Sequence, residues 1–303
     1  PLERIIKTSG CKLVLGIDLS DAFCSVCAEH GIKTIEVMHT MGYCKIVRGW
    51  EEREHNKLPN AIFCYDLETK FTYSNSCKQL EIKTVNHPFL SKFESASIHK
   101  NKYQRMFGLL DSTKEYHLNN GKVSILYCLQ WGYDGEIDDL NGILENGVYP
   151  SFLPDIIRNT QDTINWHFRL HPVQLLSGRY EHHLSLIHLL TRDAENVFWS
   201  DASLDPLPEV LQHMDGVLTM TSQAIYDAAY FNVKSALLCP SAQPGGRFEN
   251  LGNNLKKSGL LTRLSFEQAS VLDWLKIILL SDNLPKNWKQ KFDCISKVVK
   301  SYL

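Results

Sequence analysis

The feature that most constrains this chain is a rhythm. Short segments rich in β-branched and apolar residues recur along it, separated by longer amphipathic stretches. A strand-period run followed by a helix-period run, repeated, is the pattern of parallel sheets covered by helices. The segments fall into two groups. The first holds Lys12 to Ile17, Lys33 to Met38, Ala61 to Tyr65 and Glu81 to Val85. The second holds Lys122 to Cys128, Ile164 to Arg169, Asn196 to Trp199, Gly216 to Thr219 and Ser235 to Leu238. Within the first group, Ser20 to His30 reads as a helix with a Ser or Asp cap and a stop at Gly31.

The polar stretch from Lys92 to Gly121 carries His, Lys, Asn and Ser and few apolar runs, and reads as a linker. With the boundary near residue 115, the chain divides into an N-terminal domain, 1–115, and a C-terminal domain, 116–303. Asn283 to Leu303 places Trp288, Phe292, Ile295, Val298 and Val299 at near-helical spacing and reads as the helix that closes the second domain. The first domain reads as incomplete, with two or three parallel strands and an opening strand close to Pro1, so that residues upstream of it are expected.

A length of 303 residues accommodates two α/β domains, and an apolar content of 44% is that of a soluble chain with a real core. The formal charge of -2, from 32 Lys and Arg against 34 Asp and Glu, gives no single-sign field that would steer the chain onto a nucleic acid or an anionic membrane. Nine cysteines, an odd number scattered through apolar segments, are unlike a secreted disulfide framework and point to the cytoplasm. Cys24-x-x-Cys27 falls inside the expected helix, with no second pair to complete a zinc site, so no metal is expected there. No apolar run approaches the ~20 residues that span a bilayer.

In open parallel sheets ligands sit beyond the carboxyl ends of the strands, where loops and helix N-termini present N–H groups. Useful polar residues follow the expected strands here. Ile164 to Arg169 runs into Leu170-His171-Pro172, which sets an Arg, a His and a helix-starting Pro at one strand end, a corner suited to phosphate. The plainer reading of that corner is a salt bridge by Arg169 and a cap by His171. Gly216 to Thr219 runs into Thr221-Ser222-Gln223 and a helix from Ala224 to Asn232, with Asp227 one turn further in as a candidate for ribose hydroxyls. Thr and Ser are also ordinary helix caps, and Asp227 is equally read as a solvated helix residue. After Lys122 to Cys128 comes a loop with Gly132 and the carboxylates Asp134 and Glu136, either a base or nucleophile toward a sugar or a solvated acidic turn. His39 follows Lys33 to Met38 and is placed to deprotonate an acceptor hydroxyl or to serve as a structural histidine.

Taken together, Ser20 to His39, Leu58-Pro59-Asn60-Ala61, Asn86-His87-Pro88-Phe89, Arg169-Leu170-His171-Pro172 and the Thr221-Ser222-Gln223 to Asp227 spacing resemble a known family. It is that of the GT-B glycosyltransferases and glycerophosphotransferases of bacterial capsule, O-antigen and teichoic-acid assembly. The resemblance implies two Rossmann-like domains whose parallel sheets face a cleft, with the donor held by the C-terminal one. It implies donor-phosphate contacts for His171, Thr221 and Ser222, with Gly132, Arg169, Pro172 and Gln223 around them, and a ribose contact for Asp227, where the family usually has Glu. Thr40 stands where a Gly usually follows the first His, a departure that bears on His39.

The expected activity is transfer of a sugar from a CMP-, CDP- or UDP-linked donor to a glycan or lipid-linked acceptor, without metal or other cofactor. The expected setting is the cytoplasmic face of the inner membrane or an assembly complex. Rival readings are a polyol-phosphate transferase with a CDP-linked donor, an epimerase acting on a free UDP-sugar, and a non-catalytic scaffold of degenerate fold.

Overall fold

In the computed structural model, residues 2–46, 49–93, 121–130, 142–176, 180–191, 194–280 and 292–302 are described. The chain forms two compact units. One comprises Pro1–Ser95 with Gln290–Leu303, the other Ala96–Lys289. The expected linker lies almost wholly outside the described residues.

The first unit carries a four-stranded sheet in the order β1-β2-β3-β4. Its strands are β1 (Leu13–Gly16), β2 (Lys33–Val37), β3 (Ala61–Cys64) and β4 (Glu81–Thr84). All three pairings are parallel, with Val14 beside Thr34, Ile35 beside Ala61 and Ile62 beside Ile82. Four strands thus pair where two or three were expected. β3 is buried along its whole length, as its unbroken Ala-Ile-Phe-Cys run requires of a strand covered on both faces. Ile62 and Cys64 pack with Met38, Trp50, Leu58 and Tyr73. The helix Asp21–Glu29 begins where expected, with the Phe23 N–H donating to Ser20 Oγ at 3.3 Å. It ends before Gly31, whose positive φ of 67° suits a residue without Cβ.

The second unit carries a six-stranded sheet in the order β10-β9-β8-β5-β6-β7. Its strands are β5 (Val123–Cys128), β6 (Ile164–Arg169), β7 (Val197–Phe198), β8 (Gly216–Thr219), β9 (Lys234–Leu237) and β10 (Leu261–Arg263). Every pairing is parallel. The five expected strands are present, and β10 is an addition that its three-residue Leu-Thr-Arg run did not signal. The chain builds outward from β5 through β6 to β7, then returns to the other side of β5 for β8, β9 and β10. The carboxyl ends of β5 and β8 therefore flank the point where strand order reverses, with Cys128 beside Thr219 and, on the far side, Arg169. The core beneath them joins Leu126 and Val217 to Val210, Leu211, Ala224 and Ala228. Gly216 opens β8 because a Cβ there would lie 3.0 Å from both Ile125 Cδ1 and the Trp274 ring.

The C-terminal segment corrects one expectation. Among its described residues, 292–302, the one helix is Ile295–Val299, and these residues belong to the first unit instead of closing the second. The Asn86 N–H donates to the Asp293 carbonyl at 3.0 Å, and Asn86 Oδ1 accepts from the Phe292 N–H at 3.1 Å. Lys33 Nζ donates to the Tyr302 carbonyl at 3.2 Å. Helical spacing announces a buried face but not the core that covers it.

Candidate functional site

The second unit gathers its polar residues at the β5/β8 reversal. Thr219 is fully buried and donates from Oγ1 to the Cys128 carbonyl at 3.0 Å, which fixes the two strand ends together. One step further out, Thr221 Oγ1 donates to Gln130 Oε1 at 2.8 Å, so a side chain following β8 holds one following β5. Gln174, only 2% exposed, ties in the β6 loop: its Oε1 accepts the His171 N–H at 2.7 Å and its Nε2 donates to the Gln130 carbonyl at 3.4 Å. Three strand-end loops are knit by this chain of hydrogen bonds.

His171 sits on that chain. Its Nδ1 accepts the Val173 N–H at 3.2 Å, which leaves the proton of a neutral ring on Nε2. Burial, reinforced by the nearby Arg169 charge, holds the ring below the ordinary imidazole value, so it is neutral near pH 7 and its Nε2–H is a donor. Pro172 opens the helix Pro172–Leu176, where a missing N–H and a fixed φ cost nothing.

Arg169 ends β6, and its Nη1 donates to the Ala202 carbonyl and, at 2.9 Å, to the Asp205 carbonyl. It therefore caps the end of the helix Ser200–Leu204, while its charge acts on His171 and Asp227. Ser203 secures the same helix, accepting the Leu170 N–H at 3.1 Å and donating to the Phe168 carbonyl at 3.2 Å. Ser222 Oγ accepts the Ala224 N–H at 3.2 Å in the turn ahead of the helix Ala224–Tyr230, and Gln223, exposed, is the N-cap of that helix. Asp227 lies in the first turn, and burial raises its carboxyl to about 7 against the opposing pull of Arg169. Gly132, Asp134 and Glu136 lie outside the described residues.

His39 belongs to the first unit, where it is exposed just beyond β2. The buried carboxylate of this region is Glu36, which sequence reasoning passed over. Its Oε1 accepts the Asp18 N–H at 2.7 Å and its Oε2 the Leu19 N–H at 2.9 Å, bracing the turn after β1, where Asp18 has a φ of 64°. Asp66 plays a parallel part after β3, accepting from the Thr69 N–H at 2.8 Å and the Gly42 N–H at 3.0 Å. His87, in the Asn-His-Pro-Phe segment, accepts the Phe89 and Leu90 N–H groups at Nδ1, each at 3.3 Å, and burial pushes it down to about 4.

Cys24 and Cys27 are buried, and burial pushes the Cys24 thiol up to about 11, a poor nucleophile. Among the described residues no group of three or more His, Cys, Asp or Glu is placed to hold a metal. Among them, too, no helix is long and apolar enough to cross a membrane.

No family model matches the sequence, and no curated protein matches it. Solved structures do match the fold. The UDP-GlcNAc 2-epimerase of Methanocaldococcus jannaschii aligns over 99% of this chain and 80% of its own, with a TM-score of 0.61 and 14% identity. The fold is GT-B-like. The UDP-GlcNAc 2-epimerase of Neisseria meningitidis bound to UDP-GlcNAc aligns over 99% of this chain and 78% of its own, with a TM-score of 0.57 and 12% identity. A structure of the wall teichoic acid polymerase TagF aligns over 96% of this chain and 65% of its own, with a TM-score of 0.54 and 14% identity. At these identities the likeness is one of fold.

Proposed function

We propose that this chain is a glycosyltransferase that holds a nucleotide-sugar donor at the carboxyl edge of the second sheet and moves its sugar to a glycan or lipid-linked acceptor. The observation that carries this reading is the hydrogen bond from Thr221 to Gln130 across the β5/β8 reversal, with His171 tied to the same loops. Open α/β sheets bind nucleotides at such a reversal. The neutral His171 donates its Nε2–H to a donor phosphate, and Asp227 accepts from ribose hydroxyls. Arg169 supplies positive potential from its capping position. His39, Asp134 and Glu136 are the candidates for activating the acceptor. Similar structures in complex with UDP-GlcNAc support a nucleotide-sugar substrate. Bacterial surface-polysaccharide assembly is the setting this reading implies.

The test is thermal stabilisation of the purified protein by CMP, CDP or UDP, compared with the His171→Ala variant. Loss of one charge-assisted phosphate contact weakens affinity about tenfold, so the shift shrinks in the variant; an unaltered shift there overturns the site assignment. Product mass then separates sugar transfer from polyol-phosphate transfer, because only the latter adds phosphorus.

A second reading, epimerisation of the sugar on its nucleotide, is supported by the likeness to two epimerases over 99% of this chain. Incubation with a UDP-sugar and no acceptor distinguishes it: an epimerase converts the sugar, and a transferase returns it unchanged.

A further inference from the structure

We propose that Gln174 and Thr221 are positioning residues which, through Gln130, lock the loops after β5, β6 and β8 into one anion-receptive arrangement and fix the donor face of His171. This rests on the nucleotide-binding reading of the site. Gln174 is almost fully buried between two loops and uses both ends of its amide, the oxygen on the His171 N–H and the nitrogen on the Gln130 carbonyl. A carboxamide accepts and donates from one uncharged, planar group. Glu in its place keeps the acceptor and loses the donor, and Met loses both.

Gln130 then passes the constraint to β8 through its own side chain, which accepts the Thr221 hydroxyl at 2.8 Å. The effect on His171 follows from its backbone. With the His171 N–H held by Gln174, the turn brings the Val173 N–H onto Nδ1, and that bond disfavours a second ring proton and keeps the remaining one on Nε2. Releasing the turn frees Nδ1 to take a proton.

Two measurements test this on the full chain. Titration of the His171 ring by NMR reads the turn without any ligand. The expected result is a midpoint in Gln174→Met displaced upward toward that of an ordinary imidazole, with Gln174→Glu between it and the native protein. An unchanged midpoint in both variants overturns the coupling. Calorimetric binding of UDP, CDP and CMP reads the assembled site, with an expected affinity loss of about tenfold in Thr221→Val and recovery in Thr221→Ser, which keeps the hydroxyl. Native affinity in Thr221→Val overturns the proposal for Thr221. If the native protein binds none of the three nucleotides, the functional reading fails, while the His171 titration still decides whether Gln174 positions the ring.

Discussion

Tyr302 donates its phenolic hydrogen to Glu81 Oε2 at 2.7 Å while the Lys83 ammonium lies 4.3 Å from the centre of its ring. The same ring meets Phe63 of the buried central strand at 5.9 Å. One residue near the end of the described chain thereby fastens the C-terminal segment to β3 and β4. Replacing Tyr302 with Phe removes a hydrogen bond to a half-exposed carboxylate, and the expected loss is under about 1 kcal/mol. Replacing it with Ala also removes the ring packing, for a loss of about 2 kcal/mol. Urea unfolding of the two variants checks the order.

Glu36→Gln is expected to destabilise the protein by about 1–3 kcal/mol, because one of the two amides after β1 then faces an N–H group instead of an oxygen. Hydrogen exchange at Asp18 and Leu19 should accelerate in the variant. Equal protection would show that the turn holds itself.

His167 lies in the middle of β6, 1% exposed, stacked on Phe198 at 5.3 Å, with neither ring nitrogen hydrogen-bonded. Burial pushes it down to about 4, whereas the unfolded ring takes a proton near the ordinary value of about 6.5. The unfolded state therefore binds the proton first, and the stability this group contributes is complete above about pH 6.5 and drains away as pH falls toward 4. In His167→Leu that share of the acid slope should vanish, with stability at pH 7 equal or greater because two unsatisfied nitrogens are gone. His87, likewise held near 4, keeps its own share of the slope.

Asp227 acts with the opposite sign. Its folded carboxyl titrates at about 7 and its unfolded one near 4, so between those values the folded protein retains a proton that the unfolded chain has released. Stability falls as pH rises through that window. Asp227→Asn, which cannot ionise, should match the native protein below about pH 4 and exceed it at pH 8 by up to about 4 kcal/mol, the gap widening between pH 5 and pH 8. Scanning calorimetry at pH 5 and pH 8 checks this, and on the functional reading the same variant binds nucleotide less tightly.

The strands were legible because β3 is an unbroken apolar run, β5 is one interrupted only by Ser124, β6 alternates Ile, Trp and Phe with polar residues, and the helix after β1 has its Ser20 cap and Gly31 stop in sequence. The corner at Arg169 to Pro172 was legible as a site but not in its wiring. Arg169 finds its carbonyl partners 33 and 36 residues away, a distance at which no local pattern speaks. Gln174 and Gln130 gave no signal, since nothing in the sequence marks one glutamine of a short helix and another of a loop as hydrogen-bonded partners. Glu36 was hidden for a similar reason: in a strand a single carboxylate reads as the solvent face, and only the fold shows it turned onto the amides of the neighbouring turn.

That carboxylate also divides labour between the two halves. The amides of a first strand-to-helix turn are the natural seat for a diphosphate in a sheet of this kind. In the first unit the seat is taken by the chain's own fixed anion, which repels a second one. The first unit carries its own anion at that turn, so on the nucleotide-binding reading a nucleotide titration should saturate at a single equivalent.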